Sequence, residues 1–134
     1  MTKFQDKVFI ELLTKKGLGP PEKEFRFHNK RKWRLDYAYP SLKIGIEING
    51  GAWKKTTYRN KRGELVTAIG GRHNIGKGYL RDIEKKNTLT ILGWAILEFT
   101  PDQTSKSETI DQIALLIQAR KVQWQNDGDK LWLY

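Results

Sequence analysis

The first third of the chain passes from a helical to an alternating pattern of apolar side chains. Between residues 4 and 16 apolar side chains recur near helical spacing, which predicts an amphipathic helix. They are Phe4, Val8, Leu12 and Leu13. A stretch rich in glycine and proline ends this helix. Three alternating segments then predict an antiparallel meander of β-strands, at residues 23–29, 33–39 and 43–49.

Alternation also predicts which side chains share a face of the sheet, because neighbouring residues of a strand point to opposite sides. In the second strand one face should carry Trp33, Leu35, Tyr37 and Tyr39, and the other Arg34, Asp36 and Ala38. In the third strand one face should carry Ile44, Ile46 and Ile48, and the other Gly45, Glu47 and Asn49. The acids Asp36 and Glu47 are therefore expected on the same side of the sheet.

The second half of the chain predicts helix, strand and helix. Residues 78–92 form the first helix, with Gly93 as its stop, and residues 94–99 form an apolar strand. Residues 107–123 form the last helix, for which Ser107 is a candidate cap. The order of elements predicts a single α/β domain over residues 1–134.

Residues 54–77 interrupt this pattern with a polar, basic and glycine-rich stretch. By composition it is the least structured part of the chain, although residues 64–69 have the composition of a short hairpin arm. A segment of this length exceeds the usual connection between elements, and such segments are often functional.

The charge distribution favours a polyanionic partner. The chain carries a net charge of +10, and residues 54–86 contain ten lysines or arginines against three acidic residues. Such asymmetry is typical of nucleic-acid binding. There are no cysteines, which excludes disulfides and thiolate metal sites. The chain has no apolar run of the kind found in signal peptides or membrane spans, so we expect a cytoplasmic protein without a membrane partner.

Asp36 and Glu47 are the first candidates for chemistry. Two carboxylates on adjacent strands repel each other unless a cation lies between them or one of them is protonated. Carboxylates with water and phosphate oxygens suit Mg²⁺ or Mn²⁺. The alternative is structural: Asp36 pairs with Arg34 or Arg26, and Glu47 pairs with a lysine on a solvent-exposed face.

The stretch "RLDYAYPSLKIGIEINGG" resembles the core motif of the PD-(D/E)XK nuclease superfamily. In that motif an aspartate on one strand precedes an E-x-K pair on the next. Asp36 and Glu47 match the two acids, whereas Asn49 stands where the lysine would be.

The later stretch "GRHNIGKGYLRDIEKKNTLTILGWAILEF" resembles phage and very-short-patch-repair-like members of the same superfamily. Those members have a basic loop containing histidine, a helix with D-x-x-K-x-N and then a Gly-Trp pair before an apolar strand. The matching residues are Arg72, His73, Asp82, Lys85, Asn87, Gly93 and Trp94. The resemblance covers roughly residues 4–100.

The resemblance implies a restriction-endonuclease-like core, with a central mixed β-sheet flanked by helices, and a Mg²⁺-dependent DNA endonuclease. The implied metal ligands are Asp36, Glu47, the backbone carbonyl of Ile48 and Glu11 of the first helix. Lys85 is the candidate to replace the lysine missing at Asn49, with Lys77 second. His73 is a candidate general base or phosphate ligand.

The remaining candidates have binding or supporting roles. Asp82 and Asn87 would support the site, although Asp82 and Lys85 also have the spacing of a plain helix-surface ion pair. The basic side chains between residues 54 and 77 would contact DNA phosphates. They are Lys54, Lys55, Arg59, Lys61, Arg62, Arg72 and Lys77.

Several functions remain open at this stage. The sharpest is a homodimeric, structure-selective Holliday junction resolvase of DNA recombination and repair, phage-encoded and acting in the host cytoplasm. A mismatch or homing-type nicking endonuclease of the same fold, acting on duplex DNA, is the close alternative. The absent lysine supports a third possibility, a non-catalytic DNA-binding module, and an RNA-binding protein is a fourth.

Overall fold

The computed structural model describes residues 1–49, 55–69 and 77–131. Three α-helices lie in these ranges: α1 (Lys3–Lys15), α2 (Lys77–Ile91) and α3 (Ser107–Leu131). The strands are β1 (Glu22–Arg26), β2 (Arg34–Tyr39), β3 (Ile44–Ile48), β4 (Lys55–Arg59), β5 (Leu65–Ile69) and β6 (Ala95–Phe99). The order of elements confirms the predicted α/β class.

Four strands form one mixed sheet in the order β1-β2-β3-β6. The first three are antiparallel neighbours, which confirms the predicted meander. Strand β6 pairs with β3 in parallel, and Glu47 lies beside Glu98 in this register. A parallel pair needs a long crossover connection, and here the crossover contains α2.

The sheet lies between two apolar layers. On one face α1 and α3 pack against the strands around a cluster formed by Phe9, Leu13, Tyr37, Ile44, Ile46, Phe99, Ile110, Ile113 and Ile117. On the other face α2 contributes Leu89 to a smaller cluster with Leu35 and Ala38, against which Phe25, Phe27, Trp94 and Ile96 pack. The two layers account for the apolar positions of both sheet faces.

Strand β2 departs from the predicted alternation at Asp36. Leu35 belongs to the cluster beneath α2, whereas Tyr37 belongs to the cluster on the opposite face, so the prediction that these two share a face is wrong. In the β1–β2 register Glu24 lies between the residues paired with Leu35 and Tyr37, and its φ of 50° is in the left-handed region. The alternation of β2 is therefore interrupted between Leu35 and Tyr37.

Helix ends follow local chemistry. Thr2 and Gln5 form a capping box at the start of α1. The predicted stop at Gly93 is confirmed, because Gly93 has a φ of 86° and the Trp94 amide donates to the Leu89 carbonyl. Ser107 is the first helical residue of α3 and not its cap, since the Lys106 carbonyl accepts the amides of Thr109 and Ile110.

The basic stretch predicted as the least structured part of the chain contains a β-hairpin. Strands β4 and β5 pair antiparallel from Lys55 opposite Ile69 to Arg59 opposite Leu65. The predicted hairpin arm at residues 64–69 is therefore one strand of a two-stranded unit that begins at Lys55. The predicted end of the last helix at residue 123 is also wrong, because α3 continues to Leu131.

Candidate active site

Asp36 lies where β2 and β3 separate. Their register pairs run from Tyr39 opposite Ile44 to Tyr37 opposite Ile46. One step beyond this pairing, the Asp36 carboxylate accepts a hydrogen bond of 2.7 Å from the Ile48 amide. The Asp36 carboxylate thus replaces a strand carbonyl as the hydrogen-bond acceptor of the Ile48 amide. This bond holds the carboxylate beside the end of β3.

Glu47 faces α2. Its neighbour at position 45 has no side chain, and a Cβ there would lie 2.7 Å from both Leu35 Cδ1 and Ile96 Cδ1, so Gly45 points into the layer beneath α2. By alternation Glu47 points to the same side. Lys85 stands one helical turn before the buried Leu89, on the side of α2 that meets the sheet.

Lys85 and Glu47 form a close ion pair. The Lys85 Nζ donates to the Glu47 Oε1 at 2.5 Å, and the two side chains are only 21% and 15% exposed. The structure therefore brings the predicted substitute lysine to the second acid of the motif. The lysine contacts Glu47 of the sheet and not Asp82 of its own helix. Glu47 thus has a lysine partner, as the structural alternative expected, but this pair is largely buried and not on a solvent-exposed face.

Burial dominates the ionisation of Glu47. Loss of solvent raises the pKa of Glu47 to about 7, although the hydrogen bond and charge of Lys85 lower it. The charge of Asp36 and a hydrogen-bonding contact with it raise the pKa further. Asp36 and Glu47 are thus close enough for the charge of one carboxyl group to oppose ionisation of the other.

A cavity of about 350 Å³ opens on the side of Asp36 next to α1. Its lining includes three acidic and two lysine side chains. It consists of Met1, Thr2, Lys3, Asp6, Lys23, Glu24, Asp36, Tyr37 and Ile48. Asp36 and Ile48 thus line this cavity, whereas Glu47 and Lys85 are not among its lining residues.

Asp6 is the acid that α1 contributes to this cavity. Its carboxylate accepts hydrogen bonds from the Tyr37 hydroxyl and, at 2.7 Å, from the Lys23 ammonium. Burial opposes ionisation of Asp6, but the bonds from Lys23 and Tyr37 outweigh it and lower the pKa. Burial, followed by the bond to Asp6, raises the pKa of Tyr37 well above its usual value.

Glu11, the predicted acid of α1, is exposed and does not line the cavity. The signal for Asp6 was present in the sequence. Asp6 precedes Phe9 by three residues and Leu13 by seven, so it shares the buried face of α1 with them, whereas Glu11 does not. Helical spacing relative to the core therefore indicates Asp6, and not Glu11, as the acid of α1 that faces the cavity.

The other predicted residues are placed less closely. The Asn49 amide donates to the Phe99 carbonyl at 2.8 Å, so Asn49 extends the parallel pairing of β3 with β6. Asp82 and Asn87 are exposed on α2. Lys54, Arg72 and His73 lie outside the described residues, and for Lys55 and Lys77 only the backbone is described. Arg59, Lys61 and Arg62 are described on the hairpin.

Further ion pairs join α2 to β6 and to the segment between β1 and β2. Lys86 lies 3.4 Å from Glu98, the residue beside Glu47, and Arg31 lies 2.5 Å from Glu84. Both pairs are more exposed than Lys85 with Glu47. Asp36, in contrast, pairs with neither Arg34 nor Arg26 among the described residues; its observed partner is the Ile48 amide.

The donor set fits a divalent cation held by few protein ligands. Asp36 and Glu47 would supply carboxylate oxygens, and Asp36 and Ile48, but not Glu47, line the cavity. Within the described ranges there is no group of three or more acidic or histidine side chains arranged to hold a metal ion. A cation here would use two carboxylates and fill its remaining positions with water or phosphate oxygens, as Mg²⁺ commonly does.

Comparison with protein-family models, curated proteins and solved structures finds no match to this chain. None of the helices in the described ranges combines the length and the apolar composition of a membrane crossing.

Proposed function

We propose that the protein is a Mg²⁺-dependent DNA endonuclease with a restriction-endonuclease-like core, and that Asp36, Glu47 and Lys85 form its active site. The observation that carries the proposal is the 2.5 Å contact between Lys85 and Glu47. It supports the assignment of Lys85, on the following helix, as the lysine that the E-x-K motif lacks at Asn49.

Three further features support this assignment. Asp36 and Glu47 interact and come from adjacent strands. The site is only partly exposed, so charges act across a lower dielectric there than in water. The net charge of +10 favours a polyanionic substrate.

Each residue has a defined task in the proposed reaction. Asp36 and Glu47 hold the cation, which when bound stabilises charge on the phosphodiester and lowers the pKa of a water molecule. The Ile48 amide holds Asp36 in place. The Lys85 ammonium, which Glu47 orients, positions the attacking water by donating a hydrogen bond to it. Asn49 is uncharged and therefore cannot take over the role of the lysine.

The substrate proposed is branched DNA, cut by a homodimer acting as a Holliday junction resolvase. Two-fold symmetry would present two sites to two strands of a junction. A nicking endonuclease acting on mismatched or intact duplex is the alternative within the same fold. Mn²⁺ would serve in place of Mg²⁺, because it accepts the same oxygen ligands.

A non-catalytic DNA-binding module is the second candidate function. The observation that favours it is the same ion pair in a structural role, since Lys85 and Glu47 also join α2 to β3. On this view the buried ion pair holds α2 against β3, and Asp36 and Glu47 bind no metal ion.

One experiment separates these functions. The purified protein is incubated with a four-way junction, linear duplex and RNA of matched sequence, with Mg²⁺, Mn²⁺ or EDTA. The proposal predicts metal-dependent cleavage of DNA, faster on the junction, that Asp36→Ala and Glu47→Ala abolish. DNA binding without cleavage in either metal contradicts the endonuclease and supports the binding module, and a preference for RNA contradicts both.

A further inference from the structure

The turn between β4 and β5 has a defined geometry. The Asn60 carboxamide oxygen accepts hydrogen bonds from the Arg62 amide at 2.9 Å and from the Glu64 amide at 3.0 Å. The Gly63 amide donates to the Asn60 carbonyl, and Gly63 has a φ of 78°, which favours glycine. The backbone of the hairpin tip is therefore held in a defined turn.

The tip combines cations with an exposed leucine. Arg59 and Leu65 are register partners, so their side chains leave the same face of the hairpin. The Arg59 Nη1 donates to the Gly63 carbonyl at 3.0 Å, which directs the guanidinium across the turn. Lys61 and Arg62 are exposed, and Leu65 is 67% exposed beside them.

An apolar side chain surrounded by cations has a defined kind of partner. The three cations of the tip exceed its one acid, Glu64, so the charge favours an anionic surface. A two-stranded ribbon is narrow enough to enter the major groove of DNA, which is about 12 Å wide. Apolar side chains carried by DNA-binding elements contact or separate bases where stacking is weak.

We propose that the β4–β5 hairpin is a DNA-contacting arm in which Arg59, Lys61 and Arg62 bind phosphates and Leu65 packs against a base at a branch point. This inference rests on the proposed DNA substrate and extends it, because it assigns recognition of branched DNA to an element separate from the carboxylate site. Leu65 is the residue that distinguishes branched from regular duplex DNA, since an unstacked base exposes a ring face that stacking covers in the regular duplex.

Equilibrium binding without cleavage tests the arm. Fluorescence anisotropy in EDTA is measured with a labelled four-way junction and with linear duplex of matched sequence. The charge variant combines Lys61→Gln with Arg62→Gln, and the apolar variant is Leu65→Ala. The controls are Lys121→Gln and Leu115→Ala, which change exposed residues of the same types on α3.

The charge variant should weaken binding to both DNAs by about tenfold or more. It should also make the slope of log K against log salt concentration shallower by the amount that corresponds to about two phosphate contacts. Leu65→Ala should weaken junction binding by about fivefold and duplex binding by less than twofold, given the energy of one base contact. Both control variants should bind as wild type does, and all variants should melt at similar temperatures.

The outcomes separate the arm from the nuclease. If wild-type protein binds and cuts DNA while the hairpin variants bind equally well, the arm is contradicted and the endonuclease stands. If the hairpin variants lose affinity as described but wild-type protein never cuts, the arm stands and the endonuclease falls. If wild-type protein binds neither DNA, both are contradicted.

Discussion

The Lys85 ammonium lies 2.5 Å from the Glu47 carboxylate and joins the middle of α2 to β3. The two residues are 38 positions apart in the chain. Leu89, one turn after Lys85, is packed between α2 and the sheet, so the position of the lysine follows from how the helix is anchored. Lys85 therefore reaches Glu47 from a helix, whereas the E-x-K motif has its lysine two residues after the acid on the same strand.

Lys85 should matter for cleavage, and its neighbour Lys86 should not. Lys85→Gln removes the ammonium that we propose positions the attacking water, so we expect the single-turnover rate to fall about 100-fold or more, a typical loss for one catalytic donor. Lys86→Gln removes an adjacent lysine whose more exposed pair with Glu98 is 3.4 Å long, and the rate should change less than about threefold. Equal rates for the two variants would exclude Lys85 from the site.

The raised pKa of Glu47 should appear in the pH dependence of stability. Burial raises this pKa from 4.5 to about 7, so between these values the unfolded chain has lost a proton that the folded chain keeps. The contribution of Glu47 to the free energy of unfolding should therefore fall as the pH rises from 4.5 to 7, by at most about 1.4 kcal/mol per pH unit.

Urea unfolding between pH 5 and 8 in EDTA measures this contribution as the difference between wild type and Glu47→Gln. The difference should change with pH, because glutamine cannot titrate. Glu11→Gln is the control for the loss of one acidic side chain, because Glu11 is exposed and does not line the cavity. A Glu47→Gln curve parallel to wild type would show that Glu47 titrates as it does in the unfolded chain.

Tyr37 should contribute more to stability through its hydroxyl than Tyr39 does. Tyr37→Phe removes a hydrogen bond to the Asp6 carboxylate, which is worth about 2 kcal/mol when the acceptor is charged. Tyr39→Phe removes a bond of 2.9 Å to the neutral Gly19 carbonyl, worth about 1 kcal/mol. Chemical unfolding of both variants at pH 7 gives the comparison, and an equal or reversed order would argue against an ionised Asp6.

Gly45 should be required for close packing beneath α2. Gly45→Ala places a Cβ about 2.7 Å from both Leu35 Cδ1 and Ile96 Cδ1, and we expect a loss of about 1–2 kcal/mol. Ile96→Val removes one of these methyl groups, so the double variant should lose less than the two single variants together. Strict additivity in urea unfolding would indicate that the methyl groups move apart without cost.

The regular elements around the site were predictable because their hydrophobic periods are strong. The isoleucines of β3 share one face, as predicted. In α1, however, Phe4 is exposed and Phe9 is buried, and in β2 the alternation breaks between Leu35 and Tyr37. That Glu47 pairs with a lysine was predictable as the structural alternative, whereas only the resemblance singled out Lys85. Spacing alone allowed Lys85 to pair with Asp82 equally well.

The departures arise where tertiary contacts override local pattern. Leu35 lies on the face opposite to the predicted one because β2 is irregular at Asp36. The positive φ of Glu24 at this point is not predictable from the residue type, since glutamate rarely adopts it. The end of α3 was misplaced because polar residues and Gly128 weaken the apolar pattern without ending the helix. The polar composition of residues 55–69 hid a hairpin whose turn at Asn60 is held by side-chain bonds.

The central claim is that Asp36 and Glu47 hold a metal ion that the protein uses to cut DNA. The most direct test is single-turnover cleavage of a four-way junction in saturating Mg²⁺ by wild type, Asp36→Asn and Glu47→Gln, with Glu11→Gln as control and folding verified by circular dichroism. We predict cleavage by wild type and Glu11→Gln, and a loss of at least about 1000-fold in the two site variants, as removal of a metal ligand implies. Cleavage by folded Asp36→Asn at the wild-type rate, or no cleavage by wild type on any DNA, would contradict the claim.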